Sequence, residues 1–176
     1  MSELSQGDLR LLDHEVAQSL LASVNLARVG YIALDRTPRV VTMMFMWNGT
    51  DVVLTAIEGT FKVAAIEARP SVAVSIDAMV AVKAAHEAGV ATPHVLSIRG
   101  NATVTHLDGI IPEFVDINLR YTGPDKTRAR VAEIEALGIR MVKIAVRPTW
   151  VGVLDFATRF PGRRTAKEFD ASHFAV

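Results

Sequence analysis

One junction in the chain combines residue types that bind anions. Residues 52–77 read VVLTAIEGTFKVAAIEARPSVAVSID, so a strand-forming run passes into a run of helical composition at Gly59 and Thr60, with Lys62 two residues later. The free N–H groups and the dipole of a helix start attract anions. Thr60 adds a hydroxyl donor and Lys62 a compact charge suited to phosphate. The pattern indicates an anion site, unless Thr60 only caps a surface helix and Lys62 is solvated.

Other chemically active residue types show no comparable arrangement. The chain has no cysteine, which excludes disulfides, thiolate metal ligands and a Cys nucleophile. Ser97 lacks the glycines of a nucleophile elbow. The histidines lack the spacing of metal ligands, so we predict no metal site and name no catalytic acid or base. They are His14, His86, His94, His106 and His173.

The composition limits the class of protein. With 176 residues, half of them apolar and 22% charged, the chain is expected to form one globular domain spanning 1–176. Its 19 basic and 19 acidic residues give a formal net charge of zero, which argues against general binding of nucleic acid. No signal segment or membrane span is evident, so we expect a cytoplasmic protein without a membrane partner.

Hydrophobic periodicity divides the chain into strands and helices. Asn48-Gly49 predicts a hairpin turn, and Gly100 predicts a bulge or bend in a long strand. The Ala-rich residues 78–93 fit either a short helix or a long mobile loop, and the sequence does not decide whether they cover a site. The predicted strands are 26–34, 39–47, 52–57, 71–77, 94–107, 140–148 and 149–156; the predicted helices are about 10–24, 61–69, 111–123 and 125–138, before a basic tail at 159–176.

These elements predict a mainly β fold with flanking helices. Strands connected largely as hairpins do not form a parallel doubly wound sheet. Closure removes exposed strand edges, and a bend at Gly100 favours it. The expected architecture is an antiparallel, six- or seven-stranded split β-barrel of Greek-key type, with helices in the connections.

The order of the elements resembles the pyridoxamine-phosphate-oxidase-like, FMN-binding split-barrel family, in particular its flavin/deazaflavin-dependent oxidoreductase branch. The resembling segments are residues 28–77, PHVLSIRGNATVT at 93–105 and RMVKIAVRPTWVGVLDF at 140–156. The resemblance implies a homodimer with a cofactor groove between its subunits. It implies an oxidoreductase that transfers hydride to or from a small molecule, with FMN as the first expected cofactor because it is the family's common one. Coenzyme F-420, a deazaflavin, is the alternative.

The resemblance also implies roles for individual residues. Thr60 and Lys62 would hold the phosphate, with Thr55 near it, and the strand RVVTMM at 39–44 would run along the ring. Arg99 precedes the glycine of the strand that the partner subunit brings to the groove. By residue type alone, the apolar members of RVVTMM favour core packing instead. The implied cofactor contacts are Arg39, Val41, Thr42, Met43, Met44, Thr55, Thr60, Phe61, Lys62 and Arg99.

Departures from the family pattern narrow the function. Phe61 and Met44 replace basic residues of authentic pyridoxamine phosphate oxidase, and Leu154 replaces its C-terminal Trp, so oxidation of vitamin B6 is not expected. Trp47 and Trp150 are expected to pack rather than to stack on a ring. A non-catalytic barrel that stores flavin, haem or another small ligand is a further alternative, because one barrel fold hosts many functions.

Overall fold

The computed structural model describes residues 4–81, 91–156 and 159. These residues form seven strands, four α-helices and a short 3-10 helix at Leu9–Asp13. The strands are β1 (Ala27–Ile32), β2 (Pro38–Met43), β3 (Met46–Trp47), β4 (Val52–Ile57), β5 (Ser71–Ala81), β6 (Ala91–Leu107) and β7 (Met141–Leu154). The helices are α1 (Glu15–Ala22), α2 (Phe61–Ala68), α3 (Pro112–Thr122) and α4 (Pro124–Ala136).

The strands form one antiparallel sheet in the order β2-β1-β5-β6-β7-β4-β3. Its two edge strands, β2 and β3, are separated in sequence only by Met44 and Phe45. A sheet whose opposite edges are joined by two residues must curl round on itself. Phe45 is fully buried at this corner. The prediction of a mainly β, antiparallel split barrel with flanking helices is confirmed.

The barrel is split beyond this corner, where β2 and β4 diverge. β3 pairs with Val52 and Val53 of β4, whereas residues 54–57 pair only with β7 on the opposite side. β2 pairs only with β1. Within the described strands, the facing edges of β2 and β4 therefore carry backbone N–H and C=O groups that no neighbouring strand satisfies. We call this gap the seam.

Two predicted backbone features are confirmed. The register of β6 against β7 shifts between Arg99 and Gly100, which is the expected bulge. A Cβ atom at Gly100 would lie 2.4 Å from the carbonyl oxygen of Arg147, so only glycine fits there without displacement of the backbone. The hairpin between β3 and β4 turns at Asn48-Gly49, where Gly49 has a φ of 94°.

The helices pack on the barrel in two places. The main core joins α1 and α2 to the interior of the sheet. A second, smaller apolar cluster joins α3 and α4 to the start of β7. Its buried members are Ile111, Phe114, Ile134 and Met141. This second cluster holds the two helices beside the seam, because β7 pairs there with β4.

Four predicted boundaries are wrong. The helix expected at 10–24 is interrupted at His14, whose extended backbone ends the 3-10 helix and whose Nδ1 accepts a hydrogen bond from the Val16 N–H. The strand expected at 39–47 splits into β2 and β3. The two last strands form one, because pairing with β6 continues past Pro148. Residues 78–81 and 91–93 extend β5 and β6 rather than forming a helix or loop.

Parts of the Ala-rich segment 78–93 and of the expected basic tail lie outside the described residues, namely 82–90 and all of 160–176. No helix among the described residues is long and apolar enough to cross a membrane.

Candidate cofactor-binding groove

A groove of about 640 Å³ opens at the seam. One wall is β2 and the corner that follows it, and the opposite wall is the end of β4 with the start of α2. The helices α3 and α4 contribute the third side. The lining residues are Val41, Thr42, Met43, Met44, Thr55, Ala56, Ile57, Lys62, Phe114, Arg130, Ile134 and Met141. Its volume, and walls that combine apolar side chains with a few polar and charged ones, are typical of a site for a small organic ligand.

Six of the ten residues that the sequence implicates lie along this groove. They are Val41, Thr42, Met43, Met44, Thr55 and Lys62. Val41 and Met43 also pack against the barrel core, as their residue types favour, so the same side chains belong to both core and groove wall. The groove thus brings together the strand RVVTMM, the hydroxyl of β4 and the lysine of α2.

The other four implicated residues lie elsewhere on the same protomer. Arg39 pairs with Asp35 at 2.9 Å and, with Phe61, lines a neighbouring pocket of about 370 Å³. Arg99 lies 4.3 Å above the ring of Trp150. The Thr60 hydroxyl donates to the Ile57 carbonyl at 3.1 Å. These placements leave Lys62 as the implicated cation that lines the groove itself.

The start of α2 is not capped by a side chain. Thr60 occupies the N-cap position, but its hydroxyl accepts no hydrogen bond from the first turn. Its carbonyl instead accepts from the N–H groups of Val63 and Ala64, at 3.0 and 3.3 Å. No acceptor within the described residues is assigned to the N–H groups of Phe61 and Lys62. The half-buried Lys62 therefore stands beside free donors at the positive end of the helix dipole.

His106 of β6 connects α2 with the turn that precedes it. Its Nδ1 lies 2.5 Å from Glu58 Oε1, in the turn before the helix, and its Nε2 lies 2.5 Å from Glu67 Oε1, in the helix. The hydrogen bonds with Glu67 and then Glu58 raise the pKa of His106, although desolvation opposes them. Arg140 also contacts Glu58, at 3.2 Å. This cluster joins α2 and the turn before it to β6.

The sequence reasoning missed the contribution of α3 and α4. Phe114, Arg130 and Ile134 reach the groove from these helices. The helical pair itself is recognisable from the sequence, but its place depends on the pairing of β7 with β4, which periodicity does not reveal. The helical spacing of α4 was the signal that could have identified Arg130. It lies three residues after Thr127 and four before Ile134, which are both buried, so all three share one face of the helix.

The charge of the groove differs from that of the whole chain. Its described lining holds two cations, Lys62 and Arg130, and no carboxylate, whereas the chain is neutral overall. The apolar side chains beside these charges lower the local dielectric, which strengthens their field. The arrangement suits an apolar ligand that carries negative charge.

Comparison of sequences identifies no family for the chain, because no protein-family model and no curated protein matches it. Comparison with solved structures supports the fold. A solved F420 reductase is 25% identical, with a TM-score of 0.52 over 77% of this chain and 94% of the reductase.

Two further solved structures are more distant in sequence. A protein of Clostridium acetobutylicum related to general stress protein 26, of the pyridoxinephosphate oxidase family, is 13% identical, with a TM-score of 0.53 over 84% of this chain and 90% of that one. HutZ, the haem storage protein of Vibrio cholerae, is 10% identical, with a TM-score of 0.54 over 78% and 90%. The chain thus has the fold of the pyridoxamine-phosphate-oxidase-like split barrels, and its structural neighbours are consistent with their flavin/deazaflavin branch.

Proposed function

We propose that the protein is an oxidoreductase that binds a flavin-type cofactor in the seam groove, with F-420 as the first candidate and FMN as the second. The observation that carries the proposal is the groove itself. Unpaired strand edges, an apolar wall and a helix start with Lys62 meet in one cavity. Each of these features matches a different part of such a cofactor.

The ring suits the strand edges. Flavins and deazaflavins share a flat tricyclic ring whose pyrimidine edge carries alternating N–H and C=O groups. Such an edge can exchange hydrogen bonds with the free backbone groups of β2 and β4, in the way that a further strand would. Val41, Met43 and Met44 offer apolar contact to the rest of the ring. This match does not depend on which of the two cofactors is bound.

The phosphate end favours F-420. FMN ends in a phosphate monoester, which carries close to two negative charges at neutral pH, whereas the phosphate of F-420 is a singly charged diester. The site offers one lysine, the Thr55 hydroxyl and the free N–H groups of α2. These groups can balance a single negative charge more readily than two. The 25% identity with an F420 reductase supports the same order. The sequence alone favours FMN, so this order revises that expectation.

The described side chains would bind and orient the cofactor rather than take part in proton transfer. When bound, the ring gives or takes a hydride. Thr55 and Lys62 would fix the phosphate end, while Phe114 and Ile134 would exclude water from the ring. No carboxylate or histidine lines the described groove, and we assign no acid or base.

A homodimer is part of the proposal. Four large apolar side chains are exposed around the two pockets that contain Arg39: Ile32 (39%), Leu34 (52%), Val40 (69%) and Phe61 (89%). An exposed apolar patch of this kind indicates an interaction surface. A second copy of the chain would cover it and would bring a further wall to the site at Arg39 and Arg99.

Cofactor titration tests the proposal directly. Protein produced in a host without F-420 is to be examined for a bound flavin by its absorption spectrum, then titrated with F-420 and with FMN by fluorescence. We expect saturable binding of F-420 in the micromolar range, about −8 kcal/mol, and weaker binding of FMN. Failure of both to bind would refute the proposal.

Storage of a ligand without catalysis is the second candidate, favoured by the fold likeness to a haem storage protein. Reoxidation of bound, reduced cofactor by added electron acceptors separates the two. Turnover that depends on the protein supports an oxidoreductase, and binding of haem without any turnover supports storage.

A further inference from the structure

Arg130 is a cation in the groove that the proposed cofactor site does not use. It lies on α4, on the same helix face as the buried Thr127 and Ile134 and one turn from each. An apolar residue is expected in such an inward stripe. Arg130 instead lines the groove from its third side, on a different element from Lys62.

Its present partner is weak and replaceable. Among the described residues, the side chain of Arg130 makes one hydrogen bond, from Nη1 to Oε2 of Glu133 at 2.5 Å. Both side chains are about half exposed, 47% and 54%, and exposed ion pairs between residues three apart on a helix contribute little stability. A guanidinium has five N–H donors, so most of its capacity remains for an anion from outside the chain.

We propose that Arg130 is a specificity-determining residue, which binds a carboxylate or sulfonate carried by the substrate. This inference rests on the proposed function, because it assigns Lys62 to the cofactor phosphate and leaves Arg130 for the reaction partner. Phe114, Ile134 and Met141 line the groove near it and would contact an apolar body. The substrate class is therefore an apolar molecule with one acidic group, and Glu133 competes with that group for Arg130.

The chain provides a matched control on the same helix. Arg128 pairs with Asp125 at 2.5 Å, also three residues apart and also exposed, but it does not line the groove. Replacing Arg128 removes the same charge and the same kind of surface pair. Any effect confined to Arg130 thus reports the groove and not the net charge of α4.

Two dyes of the same ring system test the proposal on cofactor-free protein. One is 1-anilinonaphthalene-8-sulfonate, and the other is N-phenyl-1-naphthylamine, its neutral counterpart. In fluorescence titrations, Arg130→Gln should raise the Kd of the sulfonate about tenfold, the effect of losing one charge-assisted hydrogen bond, and leave the neutral dye unchanged. Glu133→Gln should tighten the sulfonate about threefold, and Arg130→Lys should retain most of the binding. Far-UV circular dichroism verifies that each variant is folded.

Two results of the dye titrations on Arg130→Gln would overturn the assignment: unchanged binding of the sulfonate, or loss of both dyes together. Equal weakening of the sulfonate by Arg128→Gln would also overturn it. So would a roughly tenfold weakening of F-420 or FMN binding by Arg130→Gln, because Arg130 would then hold the cofactor's own acid and not the substrate's. If wild-type protein binds neither cofactor but still distinguishes the dyes through Arg130, the proposed function fails and the anion site stands.

Discussion

Phe45 and Tyr121 meet edge to face, with ring centroids 6.5 Å apart and an angle of 68° between the rings. Phe45 lies in the two-residue corner that joins the sheet edges, and Tyr121 lies in the last turn of α3. The Tyr121 hydroxyl also donates to the Asn25 carbonyl at 2.7 Å, and Arg120 lies 5.4 Å from the Phe45 ring. One aromatic contact therefore ties the helix that lines the groove to the corner from which the seam opens.

Removing this ring should weaken the whole fold. Phe45→Ala is expected to lower the free energy of unfolding by about 3–5 kcal/mol, because it leaves a cavity at a fully buried site. Leu137→Ala, a control at a 65% exposed leucine outside the proposed interface, should change it by no more than about 0.5 kcal/mol. Urea denaturation measures both. Similar small losses in the two variants would contradict the role given to the corner.

The proposed contact between Lys62 and the cofactor phosphate predicts that removal of this side chain weakens cofactor binding. Lys62→Ala should weaken cofactor binding by about 1.5–3 kcal/mol, the scale of a charge-assisted hydrogen bond. The matched control is Lys126→Ala, which removes an exposed lysine of α4 that does not line the groove and should leave the affinity unchanged. Fluorescence titration measures the Kd. An unchanged affinity for Lys62→Ala would remove this residue from the site.

The His106 cluster predicts a stability that depends on pH. The folded-state pKa of His106 is raised above its ordinary value of 6.5 by Glu67 and Glu58, so the imidazolium stabilises the folded chain fully below the unfolded pKa. That contribution is lost as the pH rises through the folded pKa.

The difference in Tm between wild type and His106→Gln should therefore shrink from about pH 6 towards about pH 9. Thermal melts across this range measure it. A difference that stays constant with pH would show that the protonated form of His106 adds no stability.

The bulge in β6 predicts intolerance of any side chain at one glycine. Gly100→Ala places a Cβ 2.4 Å from the Arg147 carbonyl oxygen, a backbone atom, so we expect a loss of about 1–3 kcal/mol or more in the free energy of unfolding. Gly30→Ala is the control, since its Cβ would lie 3.8 Å from its nearest neighbours, an ordinary contact. Equal losses in the two variants would argue against the steric explanation.

The exposed apolar patch predicts the effect of a charge on assembly. Val40→Glu should shift the protein from dimer to monomer in analytical ultracentrifugation, because it places a carboxylate in the proposed interface. Leu137→Glu, at a side chain of similar exposure just after the end of α4 (65% against 69%), should not. A wild-type protein that is monomeric at all concentrations would refute the dimer itself.

Local sequence signals predicted the individual strands, helices and turns better than the way in which these elements assemble into a barrel. The hairpin at Asn48-Gly49 and the bulge at Gly100 follow from what each residue permits in the backbone, so the sequence was sufficient for both. The split of residues 39–47 was not predictable in this way, because RVVTMMFMW is uniformly strand-forming and only barrel closure forces the corner at Met44 and Phe45.

The same limit applies to the groove. The strand-to-helix junction at Lys62 is a short-range pattern and was recognised. Arg130 was missed because α4 lies beside the groove only when β7 pairs with β4, and these two strands are about 90 residues apart in the sequence. Arg39 and Arg99 line a pocket away from the groove in the single chain, and their predicted role depends on a second subunit.

The corner between β2 and β3 has a consequence for folding. Once residues 38–43 dock on β1, the next two residues bring Met46 within reach of its partner on β4, so closing the cylinder adds almost no loop-closure entropy. The two ends of the sheet should therefore form and separate as a unit. A molecule bound in the groove would therefore slow amide exchange in β2 and β3 together, although it contacts residues of β2 and none of β3.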